Sequence, residues 1–428
     1  MKPVKAVIIG AGARGYDAYA PHAIPGTLEI IAVADPDPFR RKLCAERFSV
    51  PEEHCYASYE PLYAAEKDAE LAIICTNDRM HVEPARMAVE YGLHVMLEKP
   101  ISPDPEEVLE IAQLAEKTDK VFSICHVMRY TPFYDKLKSI LDSGRIGKLM
   151  HIVHTENVAF WHFANSYVRG KWRDSRETSP MILAKCCHDM DLLVDIVGGK
   201  CTDIASFGEL SHFTAENAPE GAPTHCMDGC PIYDTCPYNA AKVYLNTPVR
   251  HWNLQNQFNL SEDTDEALLE ALKTNQWGRC VYRCDNNVVD HQSVAMVFDN
   301  GVTVSFTASA FSVFNTRFIT LLGTHGEIYG EIGHTGRADT ITIRDFATGD
   351  VEVIELGNTD DLGHSGGDAR MMNAVIRAIR GGKTDRSSAQ VSVQSHLLCF
   401  AAEQSRLEKR TIHMDDFVAE IAARAKQK

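Results

Sequence analysis

A glycine-rich turn near the start of the chain limits the fold more than any other feature. Gly10-Ala11-Gly12-Ala13-Arg14-Gly15 directly follows a short apolar run, Lys5–Ile9, and precedes a helical pattern. In a G-x-G-x-x-G turn the first glycine permits the tight bend and the second lets a pyrophosphate approach the backbone. The third lets helix and strand pack closely. A helix N-terminus adds amide donors and a positive dipole end. The second strand pattern, Leu28–Ala34, ends in Asp35, twenty residues beyond Gly15. A carboxylate there accepts hydrogen bonds from ribose hydroxyls and repels a 2′-phosphate, so the arrangement favours NAD over NADP. Arg40 and Arg41 lie a few residues on. They keep NADP open, although they also fit a solvated helix face. The turn therefore nominates Gly10, Ala11, Gly12, Ala13, Arg14, Gly15 and Asp35 as cofactor-binding residues.

The flanking pattern supports a doubly wound sheet. Lys5–Ile9, Leu28–Ala34, Leu71–Cys75, His94–Glu98 and Val121–His126 are short runs rich in Val and Ile, as buried parallel strands are. Helical patterns separate them. In Pro105–Thr118, Asp104 is the N-cap, Glu107 completes a capping box, and Val108, Ile111, Ala112 and Ala115 share a face. Residues 1–126 are thus expected to form a nucleotide-binding α/β domain. Residues 127–428 are expected to form an α+β domain with a large open, mainly antiparallel sheet. Its strands are Leu149–Asn157, Ser293–Phe298, Val302–Ser309, Arg317–Gly323 and Thr340–Asp345, and Asp299-Asn300-Gly301 forms a hairpin turn. Helices near Gly367–Arg380 and Ser387–Glu408 are expected to close this second domain. An irregular insertion occupies about residues 205–285.

Composition excludes several function classes. The chain has 428 residues, 45% hydrophobic and 24% charged, an ordinary folded mix for two or three domains. Its formal net charge of −16 repels polyanions, so neither nucleic acid nor an anionic membrane is expected as a partner. No apolar run reaches the roughly 18 residues of a membrane span. The thirteen cysteines mostly stand singly in apolar runs and are read as reduced thiols, which places the protein in the cytoplasm. Cys226, Cys230 and Cys236 are the exception. They lie within eleven residues, among glycine and prolines, and are read as metal ligands with Cys280 or Cys284 as the fourth. Zinc is the first expectation and an iron–sulfur cluster the second.

The fifth apolar run ends in Glu98-Lys99-Pro100, where strand ends of an open α/β sheet face the ligand crevice. A lysine there can donate to a substrate hydroxyl or take its proton. These residues carry a resemblance. Glu98-Lys99-Pro100, Thr76-Asn77-Asp78 with His81, His126-Val127-Met128-Arg129-Tyr130, and Ser143-Gly144-Arg145-Ile146-Gly147 together resemble the glucose–fructose oxidoreductase, inositol dehydrogenase and MocA (Gfo/Idh/MocA) family. The family pattern has a proline after the threonine, which is absent here. The resemblance implies oxidation or reduction of sugars and polyols by homodimers or homotetramers. It implies Thr76, Asn77, His81, Glu98, Lys99 and Arg129 at the cofactor and Tyr130 at the substrate. In relatives the counterpart of Lys99 touches both substrate and nicotinamide, and an Asp-x-x-x-His supplies an acid–base histidine. That histidine matches His188. The aspartate is replaced by Ala184, with Lys185 beside it, so Lys185 is expected to place substrate or tune its neighbours.

A dense run, His162 to Arg173, adds His162, Tyr167, Arg169, Trp172 and Arg173 as sugar contacts, because rings stack on sugar faces and polar groups read hydroxyls. His364 joins them on the resemblance. Three functions stay open: an NAD-dependent sugar or polyol dehydrogenase, a glycosidase that retains its NAD through oxidation, elimination, hydration and reduction, and a non-catalytic sugar or NAD sensor. His188 is expected to take the proton while Lys99 polarises the oxygen, and the reverse assignment is also open.

Overall fold

The computed structural model describes residues 2–252, 254–333, 337–357, 364–382 and 386–426. Six strands build the first sheet: β1 (Val4–Ile9), β2 (Leu28–Ala34), β3 (Cys55–Tyr56), β4 (Leu71–Ile74), β5 (His94–Leu97) and β6 (Phe122–Ile124). They pair in parallel in the order β3-β2-β1-β4-β5-β6. The order reverses next to β1, so the crevice at that reversal opens at the end of β1, where the glycine turn lies. Val7, Ile9, Ala72, Ile74, Val95 and Leu97 are buried on one face, and Ala6, Leu71, Ile73 and Met96 on the other. This is why these strands read as continuous apolar runs.

The second sheet has nine strands: β7 (Leu149–Ala159), β8 (Cys201–Glu209), β9 (His291–Phe298), β10 (Thr303–Ser312), β11 (Thr316–Gly323), β12 (Gly326–Gly333), β13 (Asp339–Asp345), β14 (Val351–Leu356) and β15 (Ile412–His413). Their order is β14-β13-β12-β11-β7-β10-β9-β8-β15. The β7–β10 pair is parallel and the other pairs are antiparallel. Strict alternation along β9 and β10 buries Val294, Met296, Val304 and Phe306 and exposes their neighbours. Helices Cys187–Val197 and Ala389–Glu408 cover the buried face.

Two expectations change. Residues 205–209, assigned to the insertion, belong to β8 and pair with β9, so the irregular segment starts after Glu209. The helix Gly367–Ile379 covers the first domain as well as the second. Its Met371, Met372, Val375 and Ile376 share one core with Val4, Ala6, Tyr19, Leu71 and Met96 of the first and Val127 and Tyr130 of the second. Its apolar spacing gave no hint of which sheet it would cover. No helix among the described residues is long and apolar enough to cross a membrane.

Candidate active site

The glycine turn has the shape its sequence requires. Gly10 has φ +91°, and a Cβ there would lie 2.6 Å from the Cys75 carbonyl oxygen. A Cβ on Gly15 would lie 2.0 Å from the Gly10 oxygen, whereas one on Gly12 would meet nothing within 4 Å. Thus Gly10 and Gly15 serve close packing, and Gly12 leaves open the space through which a dinucleotide would approach. Gly15→Ala is expected to cost at least about 1–3 kcal/mol, because backbone rather than a flexible side chain must move. Urea denaturation checks this. The segment after the turn differs from the expected helix: a short π-helical stretch, Arg14–Ala18, and a 3₁₀ turn, Ala20–His22, replace it. Pro21, which lacks an N–H, interrupts any regular continuation.

Asp35 ends β2 within reach of this turn. Its carboxylate accepts from the Ala11 amide at 2.7 Å and the Asp37 amide at 2.8 Å. Arg40 pairs with Asp37 at 3.7 Å, and Arg41 donates to the Asp35 carbonyl. The insertion reaches the same place. Asn256 donates to the Ala11 carbonyl at 3.3 Å, and Asn259 donates to Asp37 at 3.1 Å.

Beyond the ends of β4 and β5, Thr76 Oγ1 donates to the Met80 carbonyl, and His81 is held between the carbonyls of Pro100 and Thr76. Asn77 accepts from Lys171 at 3.2 Å, while Asp78 accepts from Ser179 at 2.7 Å and from Trp172 at 3.4 Å. This loop therefore clasps the second domain. Glu98 is buried. It accepts from Arg14 at 2.5 Å, from the Tyr19 hydroxyl and from the Lys99 amide, and Arg14 also contacts both oxygens of Asp368 at 3.0 Å. Burial is the largest single influence and works to raise the Glu98 and Asp368 carboxyls, but Arg14 together with Lys99 and Tyr19 at Glu98, and with His364 at Asp368, outweighs it, and both carboxyls are lowered.

Lys99 Nζ donates to the Ala184 carbonyl at 3.0 Å, which brings the end of β5 against the segment carrying His188. His188 is buried, and among the described residues neither of its ring nitrogens has a hydrogen-bond partner. Its ring lies 5.6 Å from that of His126 and 5.8 Å from that of His364. Burial first, and then Lys99, His126, His364 and Arg317, push its pKa well below the ordinary imidazole value. His364 bonds Asp368 at 3.1 Å. His162 bonds Asn315 at 2.9 Å, and burial followed by Lys185 lowers its pKa, with His364 and Lys99 adding to the effect. Lys99, His188, His364, His162 and Lys185 therefore border one cleft.

Lys185 pairs with buried Glu156 at 3.2 Å. Arg317 joins Glu156 at 2.7 Å to Asp189 at 2.8 Å, and His154 bonds the same Asp189 oxygen at 2.8 Å. Sequence reading missed Glu156, Asp189 and Arg317. The signal was present on β7, where Ile152, His154, Glu156 and Val158 are the buried alternate positions, so a carboxylate stands on the inward phase.

Other nominated residues lie elsewhere. Arg129 is buried against Asp191 and Asp195, and Tyr130 bonds Ser387 and the Arg386 amide, so both tie elements together behind the cleft. Tyr167 stacks on Phe163 and Trp172. Arg173 turns to Asp285 of the insertion. Arg169 ends a π-helical stretch, Ala164–Arg169, that directs it inward to the Arg279 and Tyr238 carbonyls. Arg169 is therefore shut away from solvent, and Arg173 is held by the insertion. Cys226, Cys230, Cys236 and Cys280 line one hollow, from which Cys284 is absent. Among the described residues no three His, Cys, Asp or Glu side chains are grouped to hold a metal ion, so the geometry supports neither the expected zinc nor the expected iron–sulfur cluster.

A family model described as an oxidoreductase family with an NAD-binding Rossmann fold matches residues 4–126, and one for the GFO/IDH/MocA C-terminal domain matches residues 134–329. The 2,7-anhydro-N-acetylneuraminate hydratase of Mediterraneibacter gnavus is 26% identical over 208 residues, 49% of this chain and 53% of that protein. Inositol 2-dehydrogenase 4 of Saccharopolyspora erythraea is 31% identical over 152 residues, 34% of this chain and 44% of that protein. The chain thus spans about half the length of these curated relatives. Levoglucosan dehydrogenase, solved in complex with NADH and L-sorbose, has a TM-score of 0.71 at 16% identity over 97% of this chain and 99% of that one, a likeness of fold. With both domain models matched and the glycine turn, Asp35 and Lys99 arrayed along one crevice, the chain belongs to the Gfo/Idh/MocA family of NAD-binding oxidoreductases.

Proposed function

We propose that the protein is a dehydrogenase acting on a carbinol carbon of a sugar, polyol or glycoside. The observation that carries this reading is the meeting of Lys99 with His188 outside the end of β5, in the crevice where the glycine turn lies. When bound, NAD supplies the hydride acceptor. Lys99 directs its ammonium at the substrate oxygen and polarises it. His188 is held neutral by burial and nearby positive charge, and its nitrogens have no hydrogen-bond partner among the described residues, which suits it to take the hydroxyl proton. Glu98 stays ionised against Arg14, fixing the backbone amide of Lys99 and so the root of its side chain. His162 and Trp172, half-buried aromatic side chains of this run, support a carbohydrate substrate, with Tyr167 buried behind Trp172 as its packing partner. The exposed face of the second sheet carries Val153, Phe207 and Val297, which supports a homodimer or homotetramer built on that face.

The carboxylate of Asp35 supports NAD over NADP. Asp35→Ala is expected to narrow that preference, as measured by calorimetry with each dinucleotide. Tighter binding of NADP by the unmutated chain would contradict the assignment.

One observation favours a second reading, the glycosidase that retains NAD. Asn256 and Asn259 of the insertion bond the glycine turn and Asp37, an arrangement suited to slowing release of a bound dinucleotide. A panel of sugars and glycosides, followed by the near-ultraviolet absorbance of reduced nicotinamide and by product chromatography, tests both. Net NADH supports the dehydrogenase. Aglycone release without net NADH supports the second reading. Turnover of nothing in the panel despite NAD binding would count against both and leave a sensor.

A further inference from the structure

The insertion after Glu209 carries a core of its own. Val243, Tyr244, Leu254, Leu260 and Leu268 are buried together with Trp161 of the second domain. Among the described residues, none from the first domain joins that core. A short helix of the insertion, Leu254–Phe258, nevertheless reaches the dinucleotide site. Its Asn256 is 2% exposed and donates to the Ala11 carbonyl of the glycine turn at 3.3 Å. Asn259, just past the helix, has φ +54°, a left-handed value that asparagine tolerates better than most residues. Its side chain donates to Asp37 at 3.1 Å. The carboxylate of Asp35 accepts from the amides of both Ala11 and Asp37. The two asparagines therefore hold both flanks of the carboxylate that reads the ribose.

The same helix is anchored on its other side. Gln257 donates to Asn165 at 3.0 Å, and the Tyr244 hydroxyl donates to the same oxygen at 2.9 Å. Asn165 is buried in the π-helical stretch that follows His162. Neighbouring side chains of one short segment thus join the wall of the cleft to the glycine turn. The two attachments differ in kind. Toward the second domain the insertion is fixed by buried leucines and rings, which are costly to expose. Toward the first, Asn256 and Asn259 make neutral hydrogen bonds, which exchange readily for bonds to water. The insertion therefore parts more easily from the glycine turn than from the second domain.

We propose that residues 254–259 are a clamp on the bound dinucleotide, closed by Asn256 on the glycine turn and by Asn259 on Asp37, and that NAD enters or leaves only when those two bonds open. The proposal rests on the dinucleotide site already described and on neither choice of sugar chemistry. Opening is needed in both directions, so loosening the clamp speeds entry as well as exit. Loss of an ordinary cofactor contact changes exit and leaves entry alone.

Stopped-flow fluorescence of the full chain, with NADH as the probe, tests this. Mixing reads association, and displacement by excess NAD reads release. Asn256→Ala and Asn259→Ala are each expected to speed release about 3–10-fold, and the double variant about 10–100-fold, the yield of one and of two neutral hydrogen bonds. Association should quicken in the same variants. Lys273→Ala, an exposed insertion residue paired with Glu270, should leave both rates unchanged. Thermal melting monitors folding. If loss of buried Asn256 lowers the melting temperature, Asn259→Ala, at an exposed position, carries the test by its own two rates. Rates within about twofold of the unmutated ones in the folded variants would overturn the clamp. Faster release with unchanged association would overturn it as well, leaving two ordinary contacts. Failure of the unmutated chain to bind NADH is a separate result, which would overturn the dinucleotide site itself and the clamp with it.

Discussion

Lys99→Ala is expected to lower turnover by at least two orders of magnitude while NAD binding stays near normal. General acid–base and polarising groups contribute about 10²–10⁴-fold each, and Lys99 is the cation that β5 delivers to the crevice. Its ammonium is held by one backbone carbonyl, that of Ala184, so removing it leaves no buried carboxylate unpaired, and the loss should fall on catalysis more than on folding. His188→Ala is expected to behave alike. The pH profile separates the two. Because the folded pKa of His188 lies well below the ordinary value of about 6.5, the base stays deprotonated as pH falls through the usual imidazole range. Turnover should therefore persist there and decline only at lower pH. Single-turnover kinetics on each variant, with a substrate found by the panel, give the measurement. Near-normal turnover in either variant would remove that residue from the mechanism.

Arg14→Met is expected to destabilise the protein by about 3–5 kcal/mol, the largest stability effect among these substitutions. It leaves Glu98 and Asp368, both almost fully buried, without their shared cation. The pH dependence has a definite sign. Both carboxyls have folded-state pKa values lowered below their unfolded ones, so their contribution is fully present above the unfolded carboxylate range and is lost as pH falls through the folded values. In the variant this acid-side loss should be much smaller, because stability is already missing at neutral pH. Denaturant titrations at neutral and acidic pH for both proteins read the difference. Equal stability at neutral pH would show that Arg14 is not their essential partner.

The first domain was legible because parallel strands buried on both faces must be apolar throughout, and Gly10, Gly15 and Asp35 each answer a local geometric demand. β12 and β14 were harder to find. Gly326–Gly333 carries glycines and two glutamates, and Val351–Leu356 is a sheet edge with most side chains in solvent. In the cleft, the resemblance placed Lys99 and His188. The network joining Lys185 to Glu156, Arg317 and Asp189 was not legible, since it depends on β7 and β11 being neighbours, a pairing that no local spacing encodes. The inward turn of Arg169 was hidden for a related reason: a run of aromatic and basic residues reads as one surface, but the π-helical stretch Ala164–Arg169 is buried throughout and ends with Arg169 on the Arg279 and Tyr238 carbonyls.

The helix Gly367–Ile379 lies on a sheet whose last strand ends at Ile124. During synthesis the nucleotide domain therefore leaves the ribosome long before the helix that covers Val4, Ala6, Leu71 and Met96 has been made. Until residue 379 emerges, that face must be sheltered by other means or stay open to association with other chains. The dependence also sets where the chain can be cut. A fragment ending near residue 126 retains the glycine turn and Asp35 but lacks both the apolar cover and Asp368, one of the two carboxylates that hold Arg14.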